Sequence, residues 1–312
     1  MKSYRWTAIA LGVLALLLAY TRWLERSGDA QRAHILKLDK NKITKVEIAG
    51  GGARLILTKD STGWSIQEPT HFEASGAEMI SFFGNFSDLQ AESEVAIRAT
   101  ELKRYGLETP QKRIVFFEGD RQVVALNVGA AVQIGSGFYV QKEGDPKLYV
   151  VASYRLERYQ PDPLIFRERQ VVKFDKGAVE KVSFRNGIEA FEVAKTEAVD
   201  WTKVENFLQD LGGLQVSEFV TDQATDEKTY GLDHPALEIT LEIKDSAPLA
   251  VQMGSEKQGS GFYFRIVGKP SVYLIPSFYK DKLFKKAENF TPPPPPSDPY
   301  APADPYGNGH AS

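Results

Sequence analysis

The chain has 312 residues, of which 42% are hydrophobic and 25% charged, and its 38 basic and 41 acidic side chains give a net charge of −3. This composition is typical of globular proteins and excludes a wholly disordered chain, a collagen and a protein with many membrane spans. The near-neutral balance argues against a nucleic-acid-binding protein, which needs a basic excess. The chain has no cysteine, which excludes disulfides, thiolate metal ligands, cysteine nucleophiles and a lipidated cysteine.

The N-terminal region predicts a membrane anchor within residues 1–26. The segment Trp6–Thr21 is uncharged and rich in Ala and Leu, with Lys2 and Arg5 before it and Arg22 after it. A helix of this length spans about 24 Å, slightly less than a hydrocarbon core of about 30 Å. It lacks the small residues that precede a signal-peptidase site, so we interpret it as an uncleaved signal anchor. A cleaved signal peptide and a buried helix of a soluble protein are the alternatives.

An internal repeat is the most informative feature of the sequence. The segment Tyr105–Pro110 (YGLETP) recurs 125 residues later as Tyr230–Pro235 (YGLDHP), and Gly135–Tyr139 (GSGFY) recurs unchanged as Gly259–Tyr263. Apolar residues upstream align at the same offset: Met79, Phe82, Phe83, Phe86 and Leu89 with Val204, Phe207, Leu208, Leu211 and Leu214. These matched spacings indicate two duplicated modules.

We place the first module at residues 34–166 and the second at residues 168–290, and we expect each to be α+β. Short runs with alternating or β-branched character predict strands at Ile43–Ile48, Leu55–Leu57, Trp64–Ile66, Arg113–Phe117, Val123–Val128, Phe138–Gln141 and Leu148–Val151. The apolar spacing from Met79 to Leu89 predicts an amphipathic helix, and its counterpart begins after Asp200, a residue suited to an N-cap. Short connections favour a mainly antiparallel sheet that the helix covers on one face.

The C-terminal segment, residues 291–312, is rich in proline. It opens with Thr291–Pro296 (TPPPPP), and consecutive prolines lack backbone donors and favour the polyproline II conformation. We therefore expect a disordered tail outside the packed modules. The alternative is a ligand for an aromatic groove of a partner.

No residue pattern predicts a catalytic, cofactor or metal site. The four histidines, at positions 34, 71, 234 and 310, have no neighbouring ligand cluster. The glycines at Gly135 and Gly137 resemble part of a dinucleotide loop, but the third glycine is missing and a hairpin turn is favoured. Ser277 and Lys280 have the Ser-x-x-Lys spacing, but the equivalent segment of the first module lacks the lysine. We predict no enzyme and no cofactor.

The repeated turn is the one candidate site. It comprises Tyr105, Gly106, Leu107 and Pro110 in the first module and Tyr230, Gly231, Leu232 and Pro235 in the second. Its glycine permits a positive φ, its leucine can anchor in a core and its proline sets the entry of the next strand. A structural role is one interpretation, and a surface presented to a partner in both modules is the other.

The chain resembles the bacterial family known as domain of unknown function 4340. The resemblance is carried by an N-terminal membrane segment and, in order, by Ile43–Ile48, Trp64–Pro69, Met79–Leu89, Tyr105–Pro110, Phe138–Tyr139 and Leu148–Val151. It implies an envelope protein exposed outside the cytoplasm and often encoded beside auxiliary components of gliding-type ABC transporters. It implies no catalytic residues.

We therefore expect an accessory or scaffold protein that is anchored in the inner (cytoplasmic) membrane by one helix. The bulk of the chain would be periplasmic, with protein partners in an ABC-transporter or other envelope complex and no nucleic acid. The rival hypothesis is an enzyme or binding protein for envelope glycan or lipid. Tyr139 and Tyr263 discriminate between the two: convergence in one pocket with carboxylates would favour binding, and burial of each in its own module would not.

Overall fold

The computed structural model describes residues 13–22, 33–95, 99–187 and 189–292. Residues 13–22 form a helix, α1. None of the helices in these ranges is both long and apolar enough to cross a membrane. Much of the predicted anchor and nearly all of the proline-rich tail lie outside the described residues. The chain divides into two compact units, Met1–Glu168 and Arg169–Ser312.

The first unit is built on an antiparallel sheet of nine strands in the order β5-β4-β3-β2-β8-β9-β10-β11-β7, with β1 and β6 as a separate pair. The strands are β1 (His34–Lys37), β2 (Lys45–Gly50), β3 (Ala53–Lys59), β4 (Trp64–Glu68), β5 (Phe72–Glu73), β6 (Asp88–Gln90), β7 (Ser93–Val95), β8 (Lys112–Glu118), β9 (Arg121–Ala131), β10 (Gly137–Lys142) and β11 (Leu148–Ala152). Helices α2 (Gly76–Phe86), α3 (Ser153–Leu156) and α4 (Pro163–Phe166) and a 3₁₀ helix (Ala99–Tyr105) complete it.

Helix α2 follows from the predicted apolar spacing and covers one face of the sheet. Met79, Phe82, Phe83 and Phe86 are its buried residues, and the hydroxyl of Ser75 caps its N-terminus by accepting from the amide of Glu78 at 3.4 Å. The prediction that Leu89 continues the helix is wrong. Leu89 lies on β6, because the helix ends at Phe86 and the chain turns to pair with β1.

The second unit repeats this sheet with seven strands in the order β13-β12-β15-β16-β17-β18-β14. Its elements are β12 (Val179–Asn186), β13 (Glu189–Ala194), α5 (Trp201–Gly212), β14 (Glu218–Thr221), β15 (Leu237–Ile243), β16 (Leu249–Lys257), β17 (Gly261–Ile266), β18 (Val272–Ile275), α6 (Tyr279–Leu283) and 3₁₀ helices at Lys176–Ala178, Lys228–Tyr230 and Ala287–Phe290. As predicted, Asp200 caps α5, accepting from the amide of Thr202 at 3.2 Å. The prediction of an α+β fold with tandem modules is confirmed.

The two sheets match strand for strand, except that β4 and β5 have no counterpart among the described residues of the second unit. The backbone bonds recur as well: the amide of Ser75 donates to the carbonyl of Phe166 at 2.7 Å, and the amide of Asp200 donates to that of Phe290 at 2.8 Å. Phe166 and Phe290 are equivalent residues, and each packs on the main helix of its own unit. The duplication therefore extends to the last turn of each unit.

The duplication also includes the first strand region of each unit, upstream of the repeated motifs. His34 of β1 pairs with Gln90, and in the second unit Gln170 forms an isolated bridge with Gln215. With the structure as a guide, the sequence signal becomes visible: Lys37-Leu38-Asp39-Lys40 corresponds to Lys173-Phe174-Asp175-Lys176.

Candidate functional site

The repeated turn closes a 3₁₀ helix in each unit. Gly106 has φ +67° and Gly231 has φ +64°, so both lie in the left-handed region that favours glycine. The amide of Leu107 donates to the carbonyl of Leu102 at 2.9 Å, and the amide of Leu232 donates to that of Glu227 at 3.0 Å. The two turns thus share their dihedrals and their hydrogen bonds.

Each turn lies against the second strand that follows it, which is β9 in the first unit and β16 in the second. A Cβ on Gly106 would lie 2.8 Å from the amide nitrogen of Ala130, and one on Gly231 would lie 2.8 Å from that of Ser255. These contacts are shorter than real Cβ atoms make, so glycine is required by the close approach as well as by φ. Neither glycine position has room for a side chain.

The aromatic and apolar residues of the turn cover a small part of the sheet face opposite the main helix. In the first unit Tyr105 and Leu107 are buried in a small cluster with Leu148, and the Tyr105 ring meets that of Tyr139 edge to face at 4.8 Å. Pro110 is half-buried and precedes β8. Apolar side chains on this face of the sheet would be exposed to water without the turn, so the cluster stabilises the fold.

The second unit reproduces the arrangement. Tyr230 meets Tyr263 edge to face at 5.2 Å, Leu232 is buried, and Pro235 is half-buried before β15. Each of the two discriminating tyrosines, Tyr139 and Tyr263, therefore packs on the turn of its own unit.

The remaining sequence candidates have ordinary surroundings. Gly135 and Gly137 belong to the hairpin between β9 and β10. The Nζ of Lys280 lies 5.6 Å from the ring centroid of Phe262, and its amide donates to the carbonyl of Ser277 at 3.0 Å. His34 contacts Asp88 at 2.8 Å on the surface. Among the described residues, no group of three His, Asp or Glu side chains is placed to hold a metal ion.

A cleft of about 470 Å³ in the first unit was not predicted from the sequence. The β4–β5 hairpin forms one wall and the start of α2 another, and its lining residues include Asp60, Trp64, His71, Glu73 and Glu168. Since the hairpin has no counterpart in the second unit, the duplication does not create this cleft twice. The available signal was a change of offset between the two copies. Residues of β2 and β3 precede their counterparts by 136 residues, whereas those of α2 precede theirs by 125, so the first unit has 136 − 125 = 11 extra residues between β3 and α2.

Two side chains define the chemistry of this cleft. The indole of Trp64 packs against Phe83 with a centroid distance of 5.6 Å, which fixes its orientation. The carboxylate of Asp60 accepts from the hydroxyl of Thr62 at 2.6 Å, from its amide at 2.7 Å and from the amide of Gly63 at 3.2 Å. These hydrogen bonds lower the pKa of Asp60, and the bond from the Thr62 hydroxyl has the largest effect. The cleft therefore carries a negative charge as well as an aromatic ring.

Lys112 is a buried cation that the sequence did not single out. It is 4% exposed, and its Nζ donates to the carbonyl oxygens of Leu156 at 2.6 Å and Tyr159 at 2.7 Å. Burial lowers the pKa of Lys112 to about 8, and the negative charge of Glu157, which raises this pKa, offsets only part of the effect. The equivalent residue of the second unit is the buried Leu237, so this lysine ties the chain after β11 to the sheet of one unit only.

Searches of curated proteins and of solved structures find no match to the chain. The model of one family, described as "Domain of unknown function (DUF4340)", matches residues 64–201 and again residues 197–292. The first match crosses the boundary between the units and ends at the start of α5. The limits of the two matches therefore differ from the limits of the two compact units. Together they cover well over half of the chain, and the protein belongs to the DUF4340 family.

Proposed function

We propose that the protein is a membrane-anchored accessory or scaffold protein on the periplasmic side of a bacterial inner membrane. Its tandem units contact protein subunits of an envelope complex, for which an ABC transporter is the leading candidate. The N-terminal apolar segment is the membrane attachment, and the units carry no catalytic role.

One observation supports this proposal most directly: the residues that the duplication repeats serve the fold. The turn glycines approach a neighbouring strand, the turn tyrosines and leucines cover the sheet, and Phe166 and Phe290 close the two cores. A chain that repeats a whole sheet unit offers two similar broad surfaces, which suits contact with proteins.

Purification from native membranes tests the proposal. We expect the tagged full chain, extracted in a mild detergent, to migrate with envelope-complex subunits in a fixed stoichiometry. A matched control replaces residues 1–26 by a cleavable secretion signal, and it should still bind the partner because the units make the contact. Recovery of the full chain only as an isolated monomer under several gentle conditions would contradict the proposal.

The cleft of the first unit favours a second candidate, binding or processing of an envelope glycan or lipid. An indole beside carboxylates is a combination that stacks on a sugar ring and bonds its hydroxyls, and an apolar chain can also lie against the ring. Asp60 and Trp64 supply these groups here, with His71 at the same cleft.

Titration of the soluble tandem units with cell-wall glycan fragments and with lipid micelles tests this candidate. We expect the fluorescence of Trp64 to change on binding and Asp60→Asn to weaken the effect, while Trp201 in the second unit serves as the unresponsive reference. No change at millimolar glycan or above the critical micelle concentration would rule the candidate out.

A further inference from the structure

The second unit lacks a strand at one sheet edge where the first unit has one. In the first unit β4 pairs with the outer side of β3, whereas β13, the equivalent of β3, is the last strand of its sheet within the described part of the chain. The edge consists of the six residues Glu189–Ala194. An edge strand presents unpaired N–H and C=O groups and is a template for an added strand.

The first unit shows which positions of this edge an added strand would use. On β3, Ile56 lies opposite Glu68 of β4, and Thr58 lies opposite Ser65. Each residue of β13 is numbered 136 higher than its equivalent on β3, so Glu192 is the equivalent of Ile56.

Alternate residues of a strand direct their backbone groups to opposite sides. On β3 the amide of Lys59 donates inward to the carbonyl of Thr44 at 2.8 Å, so Ile56 belongs to the outward set. Glu192 and Ala190 form the corresponding outward set of β13.

The core side of the edge has an apolar surface for such a strand. In the first unit Ile66 of β4 is fully buried and lies opposite Leu57. The equivalent of Leu57 is Val193. Next to it, the half-buried ring of Phe191 stacks on Phe184 with a centroid distance of 4.7 Å and an interplanar angle of 11°. Val193 is already buried within its own unit, and the ring of Phe191 also lies 6.4 Å from that of Phe290. An apolar residue in the position of Ile66 would therefore add cover mainly to the remaining open side of Phe191.

The charge at the edge differs from that of the first unit. Glu192 is 60% exposed and shares the single ammonium of Lys181 with Glu242, at 3.3 Å and 2.6 Å. Lys181 therefore serves two carboxylates. Arg185 on β12, opposite Ala190, is a second cation at this edge, and Glu189 adds a third carboxylate at the start of the strand. A strand residue opposite Glu192, where β4 has Glu68, is stabilised if it is basic and destabilised if it is acidic.

We propose that the edge strand β13 accepts an extended segment of a protein partner in which an apolar residue is followed two positions later by Lys or Arg. This inference rests on the proposed function and names the surface by which the second unit would hold its partner. The spacing is that of Ile66 and Glu68 on β4, where a register shift sets these two residues opposite the adjacent Leu57 and Ile56. The added strand would keep this shift, with the charge of the second residue reversed.

Two other occupants fit less well. A second copy that pairs through its own β13 would bring Glu192 of both chains to one seam, and like charges across paired strands destabilise them. The chain's own tail is rich in proline from Pro292 onward, and proline has no N–H to donate to a strand ladder.

Amide hydrogen exchange of the full chain provides the test, with and without the partner that co-purifies from membranes. We expect the peptide covering residues 189–194 to exchange at least about tenfold more slowly in the complex. The peptide covering residues 53–59 is the internal control and should not change, because β3 is already paired on both sides.

Three variants of the full chain complete the experiment. Ala190→Pro removes an outward N–H without breaking the pair with β12, and Glu192→Lys repels a basic strand. We expect each to lower recovery of the partner at least about tenfold. Glu205→Lys, an equal charge change on the exposed side of α5, should leave recovery unchanged, and thermal unfolding shows whether each variant folds.

The outcomes separate this inference from the proposed function. Protection of residues 189–194, with the partner contact mapped to an apolar-x-basic segment, supports the inference. A partner that co-purifies equally with all three folded variants and leaves β13 unprotected overturns the inference and leaves the proposed function standing. Recovery of a homodimer joined through β13 also overturns it, and recovery of no partner overturns both.

Discussion

The two turn glycines are the residues at which backbone geometry allows least change. We expect Gly106→Ala and Gly231→Ala each to lower the free energy of unfolding of its own unit by at least about 1 kcal/mol, because alanine at positive φ is strained. The approach to Ala130 and Ser255 at 2.8 Å adds to that cost. Denaturant unfolding measures it.

Tryptophan fluorescence reports on one unit at a time in variants that keep a single tryptophan, Trp64 for the first unit or Trp201 for the second, with the other tryptophans changed to Phe. Gly84→Ala is the control: Gly84 lies in α2 with open space around its Cβ position, so alanine should stabilise by about 0.5–1 kcal/mol. If both turn variants were fully stable yet lost their partner in cells, the turn would be a binding surface instead.

Lys112 makes the stability of the first unit depend on pH. Its pKa is about 8 in the folded state against an ordinary value of 10.5, so between these values the unfolded chain holds more protons. The free energy of unfolding therefore rises with pH in this window. We expect a gain of about 2 kcal/mol from pH 8 to pH 10, measured by urea unfolding with Trp64 as the reporter.

Lys112→Met is the matched variant, because methionine fills similar volume without a charge. The rise between pH 8 and pH 10 should disappear in this variant. The window stops at pH 10 because burial raises the pKa of Tyr149 to about 12, so ionisation of this tyrosine in the unfolded chain lowers stability above that pH. An unchanged slope in the variant would show that another group titrates.

At the level of elements, the short helices at the ends of the units complete the cores. Phe290, at the end of the last 3₁₀ helix, is buried. The centroid of its ring lies 5.5 Å from that of Phe184 and 6.0 Å from that of Phe207. Phe166 occupies the equivalent position on α4, 5.7 Å from Phe82. The final turn of each unit is thus part of its core.

We expect Phe166→Ala and Phe290→Ala each to cost about 3–5 kcal/mol in the unit concerned, since each leaves a large cavity. Phe278, which is 57% exposed, is the control, and Phe278→Ala should change stability by no more than about 0.5 kcal/mol. Equal small losses in all three variants would mean that the terminal turns do not contribute to the cores.

At the level of the whole molecule, the prediction that can be tested first concerns the N-terminus. We expect Trp6–Thr21 to remain on the mature protein and to hold it in the membrane fraction, because the segment lacks a cleavage site. The intact mass of the membrane-extracted chain measures this. A soluble protein whose N-terminus lies between Thr21 and Ala33 would show cleavage instead.

The sequence by itself determined the features that depend on neighbouring residues and on spacing. The duplication, most strands, the helix face from Met79 to Phe86, the N-cap at Asp200 and the glycine turn all follow from local periodicity and local backbone preference. Such signals survive in a single sequence because each is contained in one short segment or, for the duplication, in the recurrence of such segments at matched spacing. The family membership was accessible for the same reason, since its motifs keep their order and spacing.

Only the tertiary structure decided what depends on contacts between distant segments. It placed Leu89 on β6, set β7 beside β11, buried Lys112 under carbonyls more than 40 residues away, and opened a cleft beside β4. It also showed that, within the described part of the chain, β13 is an edge strand whereas its counterpart β3 is paired with β4. Pairing and burial of this kind follow from how whole elements pack together, which the local pattern of any one segment does not contain.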